Sequence, residues 1–212
     1  MRVYHFLNEK FGLKDILERR LKISRIMELN DPFEFCSLEL NDPDIRKKIN
    51  QSKSEVDEIS GLICFSNNWK SPVQWAHYAD KHKGLCLGFD IDVVCTGLME
   101  VEYVNERIQH EGQVDRRLVD RLFRTKHAHW AYEEEHRAYV ELKDKEDDEL
   151  YYIDFEGNIA LKQVIIGANS DVTRFQLNKA LGVLANSVET FKVRPSFKRF
   201  EMVKNQKTDM WV

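Results

Sequence analysis

The strongest constraint on the fold is the irregular order in which two hydrophobic periodicities follow one another along the chain. VYHFL (3–7), LKISRI (21–26), GLICFS (61–66), LCLGFDI (85–91), LMEVEYV (98–104), LYYIDF (150–155) and KQVIIG (162–167) read as strands. YEEEHRAYVEL (132–142) reads the same way, and 188–203 reads as a long strand interrupted at Pro195. Among these runs, GLKDILERRL (12–21) carries Leu13, Ile16, Leu17 and Leu21 at helical spacing, and residues 42–58 are polar and weakly helical. SPVQWAHYADKHKG (71–84) is a punctuated helix, with Ser71 as N-cap, Pro72 in the first turn and Gly84 as the stop. Val114, Leu118, Leu122 and Phe123 form a further helical stripe between 113 and 130, and 171–185 forms another helix. Because no βαβ period or internal repeat organises them, these elements imply an α+β fold. The expected form is one domain over residues 1–212, with a bent or split mixed sheet and irregularly placed helices. Strands around 62–66, 85–90 and 133–140 are expected to be neighbours.

Composition narrows the function classes. A chain of 212 residues buries enough surface to be stable without disulfide or metal. Its four cysteines, Cys36, Cys64, Cys86 and Cys95, show neither C-x-x-C nor zinc-finger spacing, and read as reduced, mostly buried thiols. The N-terminus has no apolar signal core and no run reaches a membrane span, so a cytoplasmic protein without membrane attachment is expected. A net charge of −4 disfavours general attachment to nucleic acid. The charge is uneven: ELKDKEDDE (141–149) is acidic and reads as a solvated turn, whereas RRLVDRLFRTK (116–126) and FKVRPSFKRF (191–200) are basic.

Four boxes carry candidate chemistry. Trp75, Tyr78 and His82 share one helical face, as a core stripe would, while His77 and Lys81 share another. His77 and His82 are too far around a helix to form a metal pair, and His127 and His129 lack a carboxylate or cysteine at metal spacing, so no metal site is expected. NDPFE, beginning at Asn30 and Asp31, is a turn that either caps its own backbone or presents polar groups. CFSNNW (64–69) puts Ser66 at a strand end, where function tends to sit.

The fourth box is WAYEEEHRAY (130–139). As a strand it would set Glu133, Glu135 and Arg137 on one face, flanked by the aromatic rings of Trp130, Tyr132 and Tyr139. Two carboxylates about 7 Å apart repel by about 2 kcal/mol at an effective dielectric near 20, and Arg137 would offset this. A surface charge ladder and an active-site acid pair both fit the pattern.

The boxes NDPFE, CFS, WAHYADKHKGLCLGFD, VEYV, KHAHWAYEEEHR and VIIG, in that order, resemble a widespread bacterial family of unknown function. The matching positions include Asn30, Asp31, Pro32, Phe33, Glu34, Ser66, Trp75, His77, Tyr78, His82, Gly84, Lys126, Trp130, Glu133, Glu135 and Arg137. A second resemblance is to the ADP-ribosyltransferases, which use an early His or Arg, a middle Ser or Tyr, and a late Glu-x-Glu or Gln-x-Glu. His5, Ser66 and Glu133-x-Glu135 stand in that order here, without the Ser-Thr-Ser element. That likeness implies NAD as substrate, with no resident cofactor. His5 would hold a ribose and Glu135 would stabilise the oxocarbenium-like transition state. Glu133 would orient the acceptor and Arg137 would balance the two acids. Asn30, Asp31, Ser66, Trp75, His77, Tyr78, His82, Lys126 and Trp130 would form the substrate pocket.

Two other classes stay open. A binding module would grip nucleic acid or a nucleotide through Arg116, Arg117, Arg121, Arg124 and Lys126, with Trp130 as a stacking surface. A hydrolase would hold magnesium between the Glu-x-Glu carboxylates and Asp31 or Glu34. An intracellular effector that consumes NAD is the enzymatic expectation.

Overall fold

A computed structural model describes residues 1–110, 113–143, 145–155, 157–207 and 211. The chain opens with β1 (Arg2–Leu7), α1 (Glu9–Glu18) and β2 (Arg20–Ile23), followed by a 3-10 turn (Ile26–Glu28), α2 (Pro43–Ile59) and β3 (Ser60–Ser66). It continues through α3 (Pro72–Tyr78), β4 (Leu85–Ile91), α4 (Val93–Thr96), β5 (Met99–Glu100), β6 (Glu102–Val104), α5 (Arg116–Leu122) and β7 (Thr125–His127). A 3-10 segment (Ala128–Glu133) leads into β8 (Glu135–Glu141), then β9 (Tyr151–Asp154), β10 (Ile159–Ile166), α6 (Arg174–Leu181), a short 3-10 turn (Gly182–Asn186), β11 (Glu189–Pro195) and β12 (Met202–Lys204).

These elements form an α+β fold on an eight-stranded mixed sheet, ordered β12-β11-β10-β4-β1-β3-β8-β5. Within it β10 and β11 run parallel, and the other pairs are antiparallel. One expectation about neighbours is corrected. β3 lies beside β8 over seven residue pairs, but β1 separates β3 from β4. The N-terminal strand takes the central place because it pairs with β4 along its whole length, Arg2 to Leu7. Its other edge meets β3 at a single pair, Tyr4 with Ser66, so the sheet splays open there.

Each sheet face is covered. In β4, Leu85, Leu87 and Phe89 enter the larger core with Ile16 of α1 and Leu177 of α6, while Cys86 faces the opposite core with Trp75 of α3. β10 supplies both cores from consecutive residues, Val164 and Ile166 to one and Ile165 to the other, which is the signature of a strand buried on two faces. A third cluster of Phe35, Leu38, Ile49, Ile108, Leu118 and Leu122 packs α2 and α5 together beside the site.

Several expected boundaries move. α1 starts earlier because Asn8 caps it by accepting from Phe11 N–H, and Asp42 with Pro43 starts a fully formed α2. The expected helix over 71–84 stops at Tyr78, after which Asp80, Lys81 and His82 take left-handed conformations. The stripe between 113 and 130 is helical only over Arg116–Leu122, the 98–104 strand breaks at Val101, and 188–203 is a hairpin of β11 and β12. Residues 132–134 are not strand: Glu134 is left-handed, and β8 begins after it. Of the cysteines Cys86 is fully buried, Cys36 and Cys64 are half-buried, and Cys95 is exposed. In the acidic run Asp144 lies outside the described residues, and 145–149 are exposed. Among the described residues no helix is long and apolar enough to cross a membrane.

Candidate functional site

The left-handed turn at Glu134 rotates the chain between the 3-10 segment and β8, so that Glu133 and Glu135 both reach the Lys126 ammonium. The two acids therefore converge through a turn and not through strand alternation. Arg137, two residues along β8 from Glu135, does follow the alternation and donates to both Glu135 oxygens, at 2.7 and 3.0 Å. Its remaining donors reach the Glu34 carboxylate and the Phe123 carbonyl. Arg137 is 1% exposed and Glu135 3%, so this is a buried network and not a surface ladder.

Charge counting explains the protonation pattern. Three carboxylates, Glu34, Glu133 and Glu135, share two cations, Lys126 and Arg137. Burial pushes the Glu135 carboxyl up, but Arg137 and Lys126 outweigh it and bring its pKa to about 2. Glu133 has the Lys126 ammonium and the Tyr78 hydroxyl but no guanidinium, and burial wins there: its pKa is raised. Burial opposes the charge of Lys126, yet the two glutamates hold it as a firm ammonium. Tyr78 is pushed up by burial and by Glu133, and donates its proton to that carboxylate while accepting from Asn30 Nδ2 at 3.2 Å.

A narrow cavity of about 120 Å³ opens where β1 and β3 splay, lined by His5, Cys64, Ser66, Tyr78, Glu133 and Glu135 among others. His5 Nδ1 lies 2.8 Å from the Cys64 carbonyl oxygen, and burial lowers the imidazole pKa. Burial and Glu135 hold Cys64 as a thiol. The Ser66 hydroxyl donates to the Asn68 carbonyl and accepts from Asn68 N–H and from Gln74 Nε2. Gln74, only 2% exposed, also donates to the Tyr132 and Glu133 carbonyls, and so ties α3 to the 3-10 segment that carries Glu133.

A second, larger cleft of about 750 Å³ adjoins this cavity, walled by Phe33, His127, His129, Trp130 and Tyr132, with Asp31 in its lining. The two meet at Lys126, whose ammonium bonds Glu133 and lies 4.6 Å from the Trp130 ring centroid. Trp130 and Tyr132 are adjacent, with centroids 6.1 Å apart and planes tilted by 36°. His77 touches the Tyr132 hydroxyl at 2.9 Å through Nδ1, which fixes the ring from outside.

The structure thus groups His5, Ser66, Tyr78, Lys126, Glu133 and Glu135 around one cavity and Asp31 and Trp130 around the cleft beside it. Asn30 and His77 hold the cavity's and cleft's tyrosines, and Arg137 sits behind them. Two residues expected in the pocket are elsewhere. Trp75 is fully buried in the core behind α3, its indole N–H donating to the Trp69 carbonyl at 2.6 Å and its ring edge-on to Phe6. His82 leaves the helical face because α3 ends first, and it lies in the turn packed under Gly167. Glu135, expected as the reacting carboxylate, is held ionised by two cations, Arg137 and Lys126, whereas Glu133 meets one cation and the neutral Tyr78 hydroxyl. Lys126 is 5% exposed and belongs to the ion network, so it does not extend the basic face of Arg116, Arg117, Arg121 and Arg124, which are exposed on and just after α5. Glu34 is committed to Arg137, so the magnesium reading loses that ligand.

Sequence reasoning missed Gln74, Arg107 and the cleft role of His127 and His129. Gln74 did leave a signal, since it is a polar residue beside Trp75 on the buried side of α3. Arg107 left none, because its NH1 is placed by the carbonyls of Cys36 and Leu38, far away in the chain.

Comparison with known proteins identifies one segment. No curated protein and no solved structure gives a match. Residues 74–138, under a third of the chain, match the family described as Protein of unknown function (DUF2971), a stretch that contains α3, the Lys126 network and the cleft's aromatic segment and leaves NDPFE outside.

Proposed function

We propose that the cleft and the cavity behind it form one small-molecule site that takes a nucleotide-class ligand, and that the chain cleaves NAD or transfers its ADP-ribose. The observation that carries this reading is the junction at Lys126, where an aromatic-walled cleft of about 750 Å³ abuts a buried carboxyl with a raised pKa. His5, Ser66 and the Glu-x-Glu pair, which the ADP-ribosyltransferase likeness singles out, line that same cavity. The roles differ from the expected ones: Glu133 is the proton acceptor, and Glu135 is the anion that keeps Lys126 and Arg137 in place. In the reaction the N-glycosidic bond breaks and nicotinamide leaves with the bonding pair. C1′ then takes the oxygen of water or of an acceptor hydroxyl, whose proton passes to ionised Glu133.

The test is incubation of the chain with NAD labelled in its adenylate half, with and without a bacterial lysate. Nicotinamide release or labelled macromolecule is expected, with a loss of about 100-fold or more in Glu133→Gln measured below that variant's own melting temperature. No nicotinamide, no label and no thermal shift with NAD would retire the reading. A second reading then leads, since no side-chain partner among the described residues engages Arg116, Arg117, Arg121 or Arg124. It proposes nucleic-acid binding on that face, with affinity falling steeply as salt rises.

A further inference from the structure

Asp31 is the odd carboxylate of this region. It is 3% exposed, lines the cleft, and has no ion pair among the described residues. Its Oδ1 accepts the Phe33 N–H at 2.9 Å, closing the NDPFE turn, and its backbone carbonyl accepts from Glu34 N–H. No donor among the described residues meets Oδ2. Oδ2 is not one of the sealed, unpartnered side-chain atoms among the described residues, so it opens onto the cleft, where a ligand group that brings a donor can take the place of water. The walls around it, Phe33, Trp130 and Tyr132, offer ring faces and edges to a flat ligand. At the cleft's rim Arg107 spends NH1 on two carbonyls, and its guanidinium sits 5.4 Å from the Phe33 ring centroid. Its Nε and NH2 have no partner among the described residues, which suits a phosphate on the same ligand.

We infer that Asp31 is the specificity-determining acceptor of the cleft: it selects a planar heteroaromatic ring that carries an amide or amino N–H and rejects one that presents an anionic or carbonyl oxygen in that place. This rests on the small-molecule reading of the cleft and names its ligand class. A matching ring closes the open valence of Oδ2. An oxygen there leaves it unmet and sets two lone-pair-bearing groups against each other, the kind of mismatch that discriminates strongly because a buried polar group is left unpaired.

The experiment is calorimetric titration of the full chain with two matched pairs, nicotinamide with nicotinate and adenosine with inosine. At least one donor-bearing ring is expected to bind, about 100-fold or more tighter than its oxygen-bearing counterpart. Asp31→Asn keeps the volume and the Phe33 acceptor, and sets an Nδ2 donor where Oδ2 stood. The variant should therefore abolish the preference or reverse it, while its melting temperature stays close to the wild type. Equal binding within both pairs, or a ratio unchanged in Asp31→Asn, overturns the inference even where NAD is cleaved. A preference that Asp31→Asn erases or reverses upholds it even where NAD is not cleaved. Failure of all four rings to bind overturns it together with the cleft reading.

Discussion

The buried ion network and the aromatic cleft share a boundary at Lys126 and treat polar groups in opposite ways. In the network both oxygens of Glu34, Glu133 and Glu135 are met, and the Arg137 guanidinium reaches two carboxylates and a carbonyl. In the cleft Asp31 is as buried as Glu135, yet one of its oxygens has no donor among the described residues. Burial alone therefore does not separate these acids; their donors do, since a guanidinium holds Glu34 and Glu135, an ammonium and a phenol meet Glu133, and Asp31 keeps one oxygen open to the cleft. A saturated network resists substitution because each member compensates another, and an unsaturated group tolerates substitution because the fold asks little of it.

The largest expected effect breaks the network at its hub. Arg137→Met should cost about 5 kcal/mol, measured by denaturant unfolding, because Glu34 and Glu135 lose their guanidinium while still buried. A cost under about 1 kcal/mol would mean that the network is ornamental and the contrast with the cleft is empty. Glu135→Gln comes next, at about 3 kcal/mol, since a neutral amide leaves Lys126 and Arg137 undercompensated. The near-neutral outcome that an open catalytic acid would give is not expected here.

The same residue sets a pH window. The folded Glu135 pKa of about 2 lies below the ordinary glutamate value, so its contribution is present above about pH 4.5 and is lost as pH falls toward 2. Glu133 has the opposite sign: its raised pKa lowers stability as pH rises from the ordinary glutamate value through its folded one. Melting temperature between pH 5 and 2 should thus fall in the wild type and fall less in Glu135→Gln, whereas parallel curves would count against the assignment. The smallest effect belongs to the cleft. Asp31→Asn should change unfolding free energy by less than about 1 kcal/mol, because Oδ1 keeps its turn hydrogen bond and Oδ2 has none to lose. A loss comparable to that of Glu135→Gln would place Asp31 among the structural acids.

What local pattern decides was readable along the chain. Most strand and helix types followed from local pattern, since the short apolar runs ending β10 and opening β4, bounded by Gly167 and Gly84, suit strands buried on two faces, and Ser71 with Pro72 starts α3 wherever the rest of the fold lies. The match of residues 74–138 to a family of unknown function agrees with the resemblance drawn from boxes in that stretch. Whatever joins distant segments was not. Glu34 meets Arg137 across 103 positions, and β1 enters between β3 and β4 because backbone pairing along a whole edge outweighs sequence proximity. Even within WAYEEEHRAY the alternation held only from Glu135 onward, since Asn67 N–H donates to the carbonyl of left-handed Glu134 and Asn68 binds its carboxylate. Which carboxylates are saturated, and which is left to a ligand, depends on how many donors the folded chain brings to each, and only tertiary contact sets that number.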